Sequence, residues 1–194
     1  MTVARIGRWI ENFSARHGTA ELSVGDGALR GIAPDGSTFV ARLPYGRPYA
    51  GVASPGDFAA AAAAPEDWGV LLVRKGGFAV ARLTGATLTA SKVGKRHVQG
   101  RTKAGGWSQQ RFARRRDNQA RAALEAADEH AARILDGLEG PLVYGGIDEA
   151  APEDVIRLHG HIADPRRDVL EKAIADAQSA IFEVTNTPTG VPER

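Results

Sequence analysis

The 194 residues contain no cysteine, which excludes a disulfide framework and thiolate chemistry. No apolar run approaches the roughly 20 residues that cross a bilayer, so no membrane partner is expected. At the start of the chain, Arg5, Arg8 and Glu11 interrupt any stretch that might serve as the apolar core of a signal peptide. A cytosolic protein is the plain reading. Histidines are few, and those at 17, 97, 130, 159 and 161 have no ligand spacing with carboxylates. Neither Gly-x-Ser-x-Gly nor a P-loop pattern occurs, and no nucleophile–base pair stands out. Neither a metal nor a cofactor is expected. The last shortage is local: from Lys92 to Arg116 there is no Asp or Glu at all.

That same window holds nine Lys or Arg. The whole chain has 25 basic and 23 acidic residues, a net charge of +2, so without these nine the remainder has 16 against 23, a net of −7. Positive charge gathered on one loop and the start of one helix points to a polyanionic partner.

The chain is 43% hydrophobic, enough to bury a core, and its length suits one large domain or one with a small appendage. Ile6, Trp9, Ile10 and Phe13 set one stripe of a helix over Val3–His17. Three strand candidates follow, Thr19–Val24, Ala28–Ala33 and Ser37–Leu43, separated by Asp-Gly turns. In the loop from Pro44 to Pro55, Tyr45, Arg47 and Tyr49 are read as packing residues in preference to base-stacking ones. Asp57–Ala64 is a short helix. Trp68–Arg74, Phe78–Leu83 and Thr87–Lys92 are strands, and the glycine pairs at 76–77 and 145–146 are turn or strand-exit signals.

A long helix is expected from about Ser108 to Leu138, with Leu124, Ala127, Ala131, Ile134, Leu135 and Leu138 as its seam. Its first turns carry Arg111, Arg114, Arg115 and Arg116, and its later part Glu125, Asp128 and Glu129. This order opposes the helix dipole at roughly 0.3–1 kcal/mol per misplaced charge, which an external anion would offset. Leu142–Ile147 is a buried strand. Pro152–His159 is expected as a short helix, and a last helix runs from Asp164 to about Phe182. Strand–helix alternation after residue 68 predicts an α/β fold with helices covering a mixed sheet. The expected parts are a helix-and-meander extension over 1–55, a main domain over 56–182 and a tail over 183–194.

Gly105-Gly-Trp-Ser-Gln-Gln-Arg-Phe-Ala-Arg-Arg-Arg116 resembles the glycine-glycine-glutamine loop and the following Arg-Phe-Ala-Arg-x-Arg helix in the middle domain of eukaryotic and archaeal class I peptide release factors. It more closely resembles the Vms-like release factor family, particularly its actinobacterial branch. Ser91-Lys-Val-Gly94, Val98-Gln-Gly-Arg101 and Asp117-Asn-Gln119 extend the likeness, which is tight over about 68–140 and weak at both ends. In the classical factors the glutamine directly follows the glycines, whereas here Trp107 and Ser108 intervene.

The resemblance implies a middle-domain-like, RNase H-like fold and hydrolysis of the ester between a nascent peptide and the tRNA 3′ adenosine. The partners implied are the large ribosomal subunit, with its rRNA, and peptidyl-tRNA. By spacing, Gln109 is the catalytic candidate and Gln110 the second choice, with Gly105 and Gly106 giving the loop its close approach to RNA. Glutamine stays uncharged at every pH, so it can orient water or donate to an oxyanion without the desolvation cost of a carboxylate. Ser108 is a natural N-cap. Lys95, Arg96, Arg101, Lys103, Arg111, Arg114, Arg115 and Arg116 would meet phosphates, and Trp107 would stack on a base or the tRNA end.

The expected function is thus codon-independent peptide release on stalled large subunits, since these residues leave no room for a codon-reading domain. The competing expectation is a non-enzymatic RNA- or ribosome-binding protein using the same basic patch. A metal-dependent nuclease is disfavoured by the lack of carboxylates in the basic window.

Overall fold

Trp68–Arg74, β4, is buried along its whole length except at Arg74. A continuous apolar run of this kind belongs to a central strand covered on both faces. The computed structural model describes residues 1–95, 121–122, 124–158 and 160–187, which divide into two compact units, Pro65–Ala177 and Met1–Ala64 with the segment from Gln178.

In the Pro65–Ala177 unit, β4 pairs antiparallel with β5 (Gly77–Thr84), and β5 with β6 (Thr87–Lys95). On its other side β4 pairs in parallel with β7 (Leu142–Gly146), and β7 with the short β8 (Ile156–Arg157). The order is β6-β5-β4-β7-β8. Residues 121–122 and 124–134 are helical and form α3. Of the expected seam, Leu124, Ala127, Ala131, Ile134 and Leu135 pack with Leu71, Val73, Phe78, Val80 and Tyr144 on one face of the sheet, while the helix ends at Ile134, short of the expected Leu138. The alternate set, including Val70, Leu72, Ala79 and Ala81, points to the opposite face. There α4 (Arg167–Ala177) lies along β4 and β5 and buries Leu170, Ala173 and Ala177. The mixed sheet flanked by helices is the α/β arrangement expected from the sequence.

A polar clasp fastens the lower end of this unit. The Asp67 carboxylate accepts from Nε and Nη2 of Arg82, each at 2.9 Å, and from the Glu139 N–H at 3.1 Å. Arg82 also donates to the carbonyls of Asp136 and Gly137, just past α3. Gly137 has φ +63°, the left-handed residue that often closes a helix. The Arg82 guanidinium, and then the Glu139 N–H, hold the Asp67 carboxyl below the usual carboxylate range. The folded pKa is therefore depressed. The contact stabilises the fold above the ordinary value of about 3.9 and is lost as pH falls through the lowered one. Arg82→Ala is expected to lower the thermal midpoint at pH 7. The gap from the native protein should narrow below about pH 4, leaving the part due to the two carbonyl contacts.

The other unit opens with a 3-10 turn, Val3–Arg5, and α1 (Ile6–His17). The meander β1 (Glu21–Gly25), β2 (Ala28–Ile32), β3 (Thr38–Arg42) follows. Asp26 and Gly27 join β1 to β2 with φ of 52° and 69°, the two positive values that a type I′ hairpin needs. α2 (Pro55–Ala61) is capped by Ser54, whose hydroxyl accepts from the Asp57 N–H at 3.1 Å. Ile6, Ile10 and Phe13 of α1 pack with Leu29, Phe39, Leu43, Tyr49 and Phe58. Tyr45 and Tyr49 are 6% and 3% exposed, so neither presents a ring for base stacking; the Tyr49 hydroxyl donates to the Val52 carbonyl.

Two elements differ from the sequence expectation. Pro152–His159 is not the short helix expected. A 3-10 turn occupies Asp148–Ala150, Asp154 takes φ +54°, and Ile156–Arg157 form β8. The free edge of β7 supplies the reason: Val143 pairs with Ile156, and the Leu158 N–H donates to the Tyr144 carbonyl at 2.8 Å. Similarly, α4 stops at Ala177, and Ile181–Thr185 form β9 rather than a helix end and a tail. β9 completes the second sheet against β3, from Arg42↔Ile181 to Thr38↔Thr185. The Met1 ammonium and Ala180 carbonyl, bonded at 2.9 Å, hold the approach to it.

Candidate functional site

The basic window is rooted in β6 and α3. Both β4 and β6 are antiparallel to β5, and β7 is parallel to β4. The carboxyl ends of β4, β6 and β7 therefore lie at one end of the sheet. α3 runs the opposite way. Leu135 and Leu138, just past the end of the helix, lie against Gly69 at the start of β4. His130, earlier, stacks on Phe78 with ring centroids 5.3 Å apart, and Phe78 pairs with Val73 near the end of β4. The earlier part of α3 thus points to the end where β6 stops at Lys95.

Phe78 ties the two roots together. It is 3% exposed and pairs with Gly94 across β5 and β6. A Cβ on Gly94 would sit 2.3 Å from the Phe78 ring. The missing side chain on β6 is the space that the ring fills, with the α3 imidazole on it.

Lys95 is the exposed last residue of β6 and lies opposite Gly77. Across that pairing are Arg74, half-buried at the end of β4, and Lys75, exposed on the turn to β5. Lys92 is exposed on β6. Among the described residues none of these four forms an ion pair, whereas Asp148, beyond the same end of β7, is held by Arg157. Sequence alone marks Arg74 and Lys75 only as a strand end and a turn. Their relation to Lys95 comes from the β5–β6 register, a pairing that no local motif announces.

The other predicted site residues, Arg96, Arg101, Lys103, Gly105, Gly106, Trp107, Gln109, Gln110, Arg111, Arg114, Arg115 and Arg116, lie outside the described residues, as do Ser108, Phe112 and Ala113. The structure therefore gives the base on which this segment stands: a strand end with three cations, and a helix anchored through Phe78. On α3, Glu125, Asp128 and Glu129 are exposed. Among the described residues, no group of three His, Asp or Glu side chains gathers in a way that could hold a metal ion.

A cation that meets a phosphate positions a nucleic acid without reading its bases, so contact with the polyanion expected from the sequence is testable at these residues. Lys75→Gln with Lys95→Gln is expected to weaken RNA binding alike for unrelated sequences. It should also reduce the slope of log K against log salt by about 1.4–1.8, or about 0.7–0.9 for each lost contact. Fluorescence titration over a salt series measures it, and an unchanged slope would show that neither lysine meets a phosphate.

A family model described as the Actinobacteria/chloroflexi VLRF1 release factor matches residues 66–183. The matched stretch begins two residues before β4 and includes every element of the mixed sheet, α3, α4 and the start of β9. No curated protein matches the chain.

Proposed function

The chain belongs to the Actinobacteria/chloroflexi VLRF1 release factor family, and from that membership we propose that it hydrolyses the nascent peptide–tRNA ester on stalled large ribosomal subunits, in ribosome rescue and quality control. A release factor works with the ribosome; the rRNA of the large subunit and the peptidyl-tRNA are the partners in this reading. The observation that carries it is the family match over 66–183, which contains the whole glycine–glutamine segment and both of its roots.

In this reading a narrow loop enters a site walled by RNA. Gly105 and Gly106 let the backbone pass close to nucleotides. Gln109, with Gln110 as the alternative, positions a water against the ester carbonyl. As the water attacks, the amide or a backbone N–H at the helix start donates to the developing oxyanion. The bond to the ribose 3′ oxygen breaks, the peptide leaves as a carboxylate, and the 3′ oxygen takes up a proton. The protein contributes position more than acid–base chemistry. The basic residues from Lys92 to Arg116 hold the loop on phosphates, and Lys75 adds to them. Trp107 stacks on a base or the tRNA end.

Release without reading a codon is part of the proposal. In a reconstituted system, large subunits carrying peptidyl-tRNA without small subunit or mRNA are expected to release peptide, and whole ribosomes stalled on a stop codon are expected to release it no faster than those stalled on a sense codon. Release confined to stop codons would overturn this part of the reading.

The concentration of charge alone also suits a binding protein without catalysis. Both readings expect ribosome affinity, but only the first expects free peptide.

A further inference from the structure

The N-terminal helix carries a second cationic track, in the stretch before residue 66 that the family match leaves out. Arg5, at the N-cap of α1, and Arg8, Asn12 and Arg16 within it are all exposed. At 100° per residue these four fall within an arc of about 80°, spread over about 17 Å of helix axis. The only acid on α1, Glu11, lies outside that arc. Among the described residues none of the three arginines forms an ion pair, and Asp35, the acid at the far end of the helix, is engaged by His17 at 2.8 Å. Asn12 occupies the position four residues from both Arg8 and Arg16, where an acid would have neutralised either.

The placement also works against the helix itself. The first turn of α1 has no acid, and Arg5 and Arg8 stand at the end where the dipole favours negative charge. Folding alone gives no reason for two cations there. The same inversion marks the arginines at 111–116 in the sequence, so both ends of the basic chemistry share one signature.

We infer that the Arg5–Arg8–Arg16 face of α1 is a second RNA-backbone contact, separate from the basic window and used to hold the protein on structured RNA. The apolar side of the helix decides against a lipid surface. Ile6, Ile10 and Phe13 are 0, 4 and 6% exposed, packed in their own core, whereas a helix that lies on a membrane needs that side free. Within the arc, what faces outward is guanidinium and carboxamide, which fit phosphate oxygens; the exposed Glu11 stands about 60° beyond Arg8, at its edge. The naming of RNA as the anion rests in part on the release-factor reading, but the measurement below does not depend on catalysis.

The test uses the full chain, a fluorescein-labelled RNA hairpin and a salt series. Arg5→Gln/Arg8→Gln/Arg16→Gln is expected to bind more weakly, with the slope of log K against log salt reduced by about 2–3. The corresponding triple Arg→Lys variant retains the charges and is expected to keep most of the slope. An unchanged slope in the glutamine variant overturns the inference. So does a lysine variant that falls as far as the glutamine one, or a glutamine variant that loses binding only to phosphatidylserine vesicles. Circular dichroism before each titration checks the fold. If the native protein binds RNA with the expected slope but releases no peptide, the ester-hydrolysis reading fails while this one stands.

Discussion

Replacing Gln109 by alanine is expected to slow nascent-peptide release by about 10²–10³-fold, the usual cost of removing one polar group that stabilises an oxyanion. Ribosome affinity should persist, because the cations proposed to supply it are untouched. The change should therefore appear in the rate at saturating protein and not in the concentration giving half of that rate. Gln110→Ala is the companion measurement. If Gln109 positions the water, Gln110→Ala has the smaller effect, and the reverse order transfers the role to Gln110. Gln109→Glu should not rescue. A carboxylate carries the desolvation cost that the amide avoids and repels the developing negative charge. Equal release by the native protein and both alanine variants would remove the glutamines from the mechanism.

The second large effect is structural. Phe78→Ala is expected to destabilise the Pro65–Ala177 unit by about 3–5 kcal/mol, the range for deleting a buried phenyl ring. The loss falls where it matters for function. With the ring gone, β6 and α3 lose the group that packs against both Gly94 and His130. Hydrogen exchange should quicken in β6 and in α3 ahead of β7 on the far side of β4. Gly94→Val approaches the same joint from the other side and should cost about 1–3 kcal/mol by overcrowding. Urea denaturation followed by tryptophan fluorescence measures both. If Phe78→Ala unfolds at the native denaturant concentration, the ring does not join the roots. The contrast with Gln109→Ala is informative, since that change should leave stability alone.

The sequence showed those parts of the fold that local chemistry decides. β4 runs from Trp68 to Arg74 as the sequence indicates, because a six-residue apolar stretch ending at Arg74 and bounded by polar turns has the length of a covered strand. The α3 seam was legible from its 3.6-residue period. Asp26-Gly27 announced its hairpin. What escaped was pairing between distant segments. Ile181-Phe-Glu-Val-Thr185 alternates like a strand but also continues the helical period of Ile174 and Ala177. β3, about 140 residues earlier in the chain, decides between them. Ile156–Arg157 is a strand only because β7 has a free edge there. At the site, Lys95 was legible as a cation in a basic window, but Arg74 and Lys75 were not legible as its neighbours. That relation depends on Gly77 facing Lys95.

The most direct test of the central claim, that the glycine–glutamine loop directs water onto the peptide–tRNA ester, is a single-turnover reaction on stalled large subunits carrying peptidyl-tRNA, with both products identified. Free peptide and intact tRNA ending in its 3′ adenosine are the expected products, formed by the native protein and formed more slowly by Gln109→Ala. Peptide still attached to a cut tRNA fragment, or tight binding without free peptide, would contradict it.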